Sequence, residues 1–226
     1  FVLMESTYGG YLHDDPKNRA QALRACIMET LREKGVLMIP AFSIERVQEI
    51  LYELNELAEN GKIPKVPIFL DSPLAIRATR VFKESREFYD QEAMQKVLAG
   101  DDLFDFPGLR MTMSSDESRE INLVKAPKII IAGAGMMTGG RILHHARRYL
   151  SDSKSTILFV GYQVAGTLGR AILEGAKKVE IYGEEIKIRA RVAKIGAYSA
   201  HADQNHLVGW LESAPALPQQ LLLIHG

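Results

Sequence analysis

Apolar runs of four or five residues alternate with stretches whose apolar positions repeat at helical spacing, and this alternation restricts the chain to few architectures. Phe1–Met4, Val36–Ile39, Val66–Leu70, Lys128–Ala132 and Thr156–Val160 read as strands, Val36–Ile39 as a buried one. Between them, Asp15 and Pro16 open one helix. Ser43 caps another that carries Val47, Ile50, Leu51, Leu54 and Leu57 and stops at Gly61, and Pro73 opens a third. Val179–Tyr182 and Ile186–Ala193 alternate at period two and predict an antiparallel pair; a short helix around Leu207–Leu211 and a strand Leu221–Ile224 end the chain. Strand–helix alternation predicts an α/β fold, a parallel doubly wound Rossmann-like sheet with helices on both faces. Residues 84–105, with seven acids among Phe88, Tyr89, Phe104 and Phe106, read as a solvated helix and loop covering an edge.

Composition narrows the function. The 226 residues, 46% of them hydrophobic, suffice for the core of one domain or somewhat more, and no apolar run is long enough to span a membrane. The single Cys26 excludes a disulfide framework and a zinc site built on several thiolates. Basic and acidic residues balance at 28 each, so a polyanion would need a local patch rather than global attraction. The chain opens on a strand with neither an initiator methionine nor a signal peptide, and stops directly after one. A piece of a longer, cytoplasmic protein without membrane contact is expected.

In a parallel sheet the loops Glu5–Gly10, Pro40–Arg46, Asp71–Pro73, Gly133–Gly140 and Gly161–Thr167 share the rim where such folds bind ligands. Two of them are glycine-rich and lead into helix N-termini, with Arg141, Arg147 and Arg148 downstream of the first, which suggests phosphate binding. Each could equally be a tight turn that needs glycine for its backbone angles. Gly133–Gly139 also resembles a dinucleotide loop with one extra residue, so an NAD(P)-binding oxidoreductase is one alternative. His144 and His145 read as partly exposed helix residues, His13 and His206 as surface. His201 lies in a small-residue loop and His225 just beyond an apolar strand, where metal ligands often sit. Glu5, closing the first strand, is either a turn capper or the partner that orients a histidine.

The segments Glu5-Ser6-Thr7-Tyr8-Gly9, Pro40–Glu49, Asp71–Ala75, Gly135–Gly140, Gly161–Thr167, Ser199-Ala200-His201-Ala202-Asp203 and Ile224-His225-Gly226 together resemble the β-CASP branch of the metallo-β-lactamase superfamily, in family order. The likeness is to bacterial and archaeal relatives of the endonuclease that cleaves pre-mRNA 3′ ends. It implies that Glu5 is the motif A acid bonded to the motif B histidine, His201, which contacts the scissile phosphate and protonates the leaving oxygen. Glu5 would favour that protonated form. His225 would be motif C, a ligand to one of two zinc ions, and its being histidine favours RNA over DNA. Ser199 would lie beside the scissile phosphate, and Arg46, Gly135, Met136, Gly139, Gly166 and Thr167 would line the RNA groove.

By this resemblance, residues 1–9 and 199–226 are margins of an αββα lactamase domain and residues 10–198 a β-CASP domain. The reaction would be two-metal hydrolysis of single-stranded RNA. The family's His-x-His-x-Asp-His motif is absent, and so are the other zinc ligands except His225. The chain alone is therefore expected to be inactive, with zinc absent or partial, and to need the N-terminal lactamase half as its partner. Association of two copies through the apolar margins, including Leu221–Ile224, is a further expectation. A non-catalytic RNA-binding module is the second alternative.

Overall fold

In the computed structural model, which describes residues 1–225, the chain runs β1 (Val2–Glu5), α1 (Arg19–Arg32), β2 (Val36–Pro40), α2 (Arg46–Glu59), β3 (Ile68–Asp71), α3 (Pro73–Glu84), α4 (Gln91–Leu98), β4 (Leu109–Met111), α5 (Ser115–Glu120), β5 (Lys128–Ala132), α6 (Arg141–Tyr149), β6 (Thr156–Phe159), α7 (Leu168–Leu173), β7 (Lys178–Ile181), β8 (Glu184–Lys187), β9 (Arg191–Lys194), α8 (Gln204–Glu212) and β10 (Leu221–Ile224). Gly226 of the Ile224-His225-Gly226 motif lies outside the described residues. No described helix is long and apolar enough to cross a membrane.

Six strands form one parallel sheet in the order β4-β3-β5-β2-β6-β9. Alternate residues of the central strands feed two cores, as the two-residue period of a pleated strand requires. Leu37, Ile39, Ile129 and Ile131 pack with Leu23 and Ile27 of α1, Val47 and Leu51 of α2 and Ile76 of α3. Val36, Met38, Ile130, Ile157 and Phe159 pack with Ile142 and Ala146 of α6, Ile172 of α7 and the β7–β8 hairpin. Each such side chain, removed wholly from water, contributes about 1.5–3 kcal/mol. The doubly wound α/β reading is thus the observed architecture. A separate pair of parallel strands, β1 and β10, sets Glu5 opposite Ile224.

Several local expectations change. The turn before α2 runs on through Glu45, at φ 63°, so the helix starts at Arg46; the Ser43 hydroxyl instead lies 3.3 Å from that of Ser72. Asp15 caps only a three-residue 3-10 turn, and α1 begins at Arg19. The Ile186–Ala193 run is not one strand. β8 pairs with β7 through a turn at Tyr182 and Gly183, both at positive φ, as the tight hairpin turn demands. The chain then crosses over, and β9 joins β6 in parallel. Strand β4 gave no sequence signal, being three partly exposed residues. In the acidic segment the carboxylates are solvated, but Leu103, Phe104 and Phe106 are buried in the first core.

Asp71, at the end of β3, ties the end of β4, α5 and α6 together. Its fully buried carboxylate accepts from Arg141 Nη1 (2.7 Å), Thr112 Oγ1 (2.7 Å), Ser118 Oγ (2.6 Å) and His145 Nε2 (2.7 Å). Burial alone would raise its pKa, but the hydrogen bonds from His145, Ser118 and Thr112 outweigh that and hold it at about 2. His145 is therefore a buried structural residue rather than a partly exposed one.

Candidate active site

The chain leaves β2 towards β3 on one side of the sheet and leaves β5 towards β6 on the other, so a crevice opens beyond their carboxyl ends. A cleft of about 660 Å³ occupies it. Phe42, Ile44, Glu45 and Arg46 from the loop after β2, Met136 from the loop after β5, and Gly161, Tyr162 and Val164 from the loop after β6 form one wall. Thr7, Ser199, His201 and His225 form the other.

Parallel pairing of β1 with β10 carries Glu5 and His225 to the same end, and the loop before α8 brings His201 between them. Glu5 and His201, 196 positions apart, meet at 3.1 Å from Oε2 to Nδ1. The Ala202 N–H donates to Glu5 Oε1 (2.9 Å) and the Thr7 N–H to Oε2 (3.3 Å). Burial pushes the Glu5 carboxyl up, but the bonds from Ala202 and Thr7 and the neighbouring His201 prevail and leave it below its ordinary value. With Nδ1 engaged, Nε2 is the His201 nitrogen left to meet a substrate. The His201 and His225 rings stand 4.9 Å apart, and Thr7 Oγ1 donates to the His225 carbonyl (2.5 Å) while lying 3.2 Å from its Nδ1.

The loop that presents His201 is braced by residues whose part the sequence did not disclose. His13, read as surface, donates Nε2–H to the His201 carbonyl at 2.9 Å, and its backbone N–H reaches Asp203 Oδ2 at 3.1 Å. The Tyr8 ring packs edge-on against His13 at 4.4 Å and against Tyr162 at 5.2 Å. Asp203 caps α8, and its bonds from the His206 and His13 amides hold its carboxyl at about 2. His206 is exposed, as read from the sequence, and bonds the same carboxylate at 2.6 Å. The Ser199 hydroxyl accepts the His201 N–H at 3.2 Å.

A ligand atom from each of Glu5, His201 and His225 lies within 4.8 Å of the others, close enough to hold a cation. Both Glu5 oxygens are already hydrogen-bonded, however, which leaves two imidazoles as free donors. Zinc takes three or four protein ligands, so this chain's donor set does not fit a two-zinc centre on its own.

Of the expected groove residues, Arg46, Met136 and Ser199 line the cleft, whereas Gly135, Gly139, Gly166 and Thr167 do not. Arg46 is buried and committed to Glu49, with Tyr198 beneath its guanidinium at 5.8 Å. Thr167 caps α7. The arginine cluster disperses: Arg141 is held by Asp71 and the carbonyls of Thr112 and Met113, Arg147 pairs with Glu184, and Arg148 stacks on Tyr149. Arg141 stays at the rim but is spent on Asp71, while Arg147 and Arg148 lie in the last turn of α6. In a dinucleotide loop glycine lets a pyrophosphate approach the backbone, but at Gly135 that space holds the Phe42 ring, which counts against the oxidoreductase alternative.

Comparison with known proteins agrees with this geometry. The Beta-Casp domain family matches residues 47–172, and the Zn-dependent metallo-hydrolase RNA specificity domain matches residues 185–226. The whole chain aligns at 36% identity with ribonuclease TTHA0252 of Thermus thermophilus and at 36% with an RNase J-like protein of Methanocaldococcus jannaschii, spanning 51% of each. It aligns at 32% with transcription termination factor FttA of Methanothermobacter thermautotrophicus, spanning 36% of it. The chain thus spans about half the length, or less, of the curated relatives it matches. With the Beta-Casp match covering more than half of its residues over a six-stranded parallel sheet, the chain belongs to the β-CASP family of the metallo-β-lactamase superfamily.

Proposed function

We propose that the protein containing this chain is a zinc-dependent ribonuclease that hydrolyses phosphodiester bonds of single-stranded RNA. The observation that carries this reading is the Glu5–His201 pair standing beside His225 at the mouth of the cleft. In it Glu5 positions His201, whose Nε2 would hold a proton for the departing oxygen of the scissile bond. His225 would contribute one imidazole to a metal centre whose remaining ligands come from outside this chain. Ser199, Arg46 and Met136 would border the RNA. The relatives' names, ribonuclease and RNase J-like protein, support the same chemistry.

Residues 1–9 and 199–226 are assigned to a lactamase domain and residues 10–198 to the β-CASP domain. The isolated β1–β10 pair supports this division, since Leu3, Leu222 and Leu223 stand half exposed on it. Those residues would be covered by the rest of the same protein rather than by a second copy, because the relatives are about twice as long or more.

The full-length protein, supplied with zinc, is expected to cleave a labelled single-stranded RNA and to stop on chelation. The chain alone should bind that RNA and leave it intact. Failure of the zinc-loaded protein to cut any single-stranded RNA would end this reading. A second expectation concerns His13. His13→Phe, which keeps the packing on Tyr8 but removes the donor to the His201 carbonyl, should lower kcat by about tenfold with KM unchanged. His13→Gln, with an amide at similar reach, should restore most of it. Equal kcat for all three would make His13 a packing residue only.

A further inference from the structure

The cleft wall opposite His201 is not what a phosphate groove would be. Phe42, Ile44, Met136, Tyr162 and Val164 make it largely apolar, and the cation within it, Arg46, is committed to Glu49. Phe42 and Ile44 remain 42% and 61% exposed, in a chain whose other strand-end residues on this rim, Ala41 and Val160, are buried. Burying such side chains would contribute to stability, so leaving them open in a concave site points to a ligand that covers them.

Phe42 is also held. A Cβ added at Gly135 would sit 2.8 Å from Phe42 Cδ2, closer than carbon atoms pack, so glycine there lets the ring edge lie against that loop; a Cβ at Gly161 would meet the same edge at 3.5 Å, an ordinary contact distance. Buried Gln163 ties the two glycine loops together, donating to the carbonyls of Gly135 (3.0 Å) and Gly161 (3.2 Å). The Gly169 N–H adds a bond to the Met136 carbonyl at 3.3 Å. The two loops therefore form a rigid seat for one edge of an aromatic ring.

We infer that Phe42 is a stacking shelf for an unpaired nucleobase of the RNA substrate, adjoining the bond that is cut, and that Gly135 serves to seat this ring rather than to cradle phosphate. This rests on the ribonuclease reading and adds a base-binding subsite to it. An aromatic face accepts any base, so the subsite contributes grip and strand register without sequence preference. It also favours unpaired over duplex RNA, because a paired base cannot leave its stack to reach the shelf.

The test uses the full-length, zinc-loaded protein with a fluorescent single-stranded RNA and a set of the same oligomer carrying one abasic ribose at successive positions. Wild type should lose about tenfold in affinity when the missing base is the one that meets Phe42, and less elsewhere. Phe42→Leu, which keeps an apolar side chain against Gly135 and Gly161, should lose a similar factor on intact RNA and nothing further on that abasic oligomer. Phe42→Tyr should behave as wild type. The inference is overturned if Phe42→Leu binds intact RNA as tightly as wild type, as it would were this face covered by another part of the protein. It is overturned equally if its loss is the same on every oligomer. Absence of RNA cleavage by the wild-type protein would instead count against the ribonuclease reading, so the two failures are distinct.

Discussion

Replacing His201 with alanine in the full-length protein is expected to lower kcat for RNA cleavage by about 10²–10⁴-fold, the range for removal of a positioned proton donor, while RNA affinity stays within a few-fold of wild type. The split follows from where the side chain stands. Its Nδ1 is taken by Glu5 and its peptide N–H by Ser199, so Nε2 is the atom that can act on a substrate in the cleft. The proposed base shelf, Phe42, belongs to a different segment of the cleft lining. Glu5→Gln should fall between wild type and His201→Ala, because an amide retains the reach to Ala202 but removes the charge that holds the imidazole. Single-turnover cleavage alongside equilibrium binding measures the two quantities separately. Unchanged cleavage by His201→Ala would remove His201 from the reaction, and with it the argument built on Glu5.

The largest expected loss of stability lies elsewhere, at Asp71. Asp71→Ala should destabilise the chain by about 3–5 kcal/mol, the cost of stripping a buried charge of its partner, because Arg141, His145, Thr112 and Ser118 all converge on that carboxylate. The same group makes stability depend on acid. Its folded-state pKa of about 2 lies below the value of 3.8 for a free aspartate, so its contribution is present above about pH 4 and is lost as pH falls towards 2. A shift of this size corresponds to roughly 2 kcal/mol. Urea unfolding of the chain at pH 7 and pH 3 should show wild type losing stability towards acid, with Asp71→Ala losing less by about 1 kcal/mol, since at pH 3 roughly half of the contribution is gone. An identical acid dependence in both proteins would mean that the carboxylate is not held as described.

Whatever is written locally is legible in the sequence alone. A buried parallel strand such as Lys128–Ala132 shows as an unbroken apolar run, and a helix face such as Val47–Leu57 as a repeat of three and four, since both patterns are set by neighbours in sequence. Boundaries that depend on tertiary context were displaced. Ser43 has the chemistry of a helix cap, but the chain spends two more residues, Ile44 and Glu45, on a turn before the helix, and Phe42 and Ile44 line the cleft. The antiparallel reading held where Val179 faces Ile186 but not for Arg191–Ala193, for a related reason: β9 alternates just as β8 does, and only its partner β6, from a distant segment, decides that it runs parallel in the main sheet.

The same division holds at the site. Glu5, His201 and His225 were legible because a resemblance of ordered motifs named them, though spacing alone left Glu5 undecided between a turn capper and the partner of a histidine. No pattern distinguished His13 from a surface histidine or His145 from an exposed one, for their partners lie 188 and 74 positions away. The glycines of the two rim loops were conspicuous in sequence, yet their occupant was not. Backbone room looks the same whether it admits a phosphate or a phenyl ring. By itself, then, the sequence determined the alternating α/β architecture and the family, since burial periodicity and motif order are properties of the chain. Only the tertiary structure decided that Gly135 receives Phe42, that Arg141 serves Asp71 rather than a ligand, and that His13 braces the His201 loop, because each is a contact between segments whose separation carries no local trace.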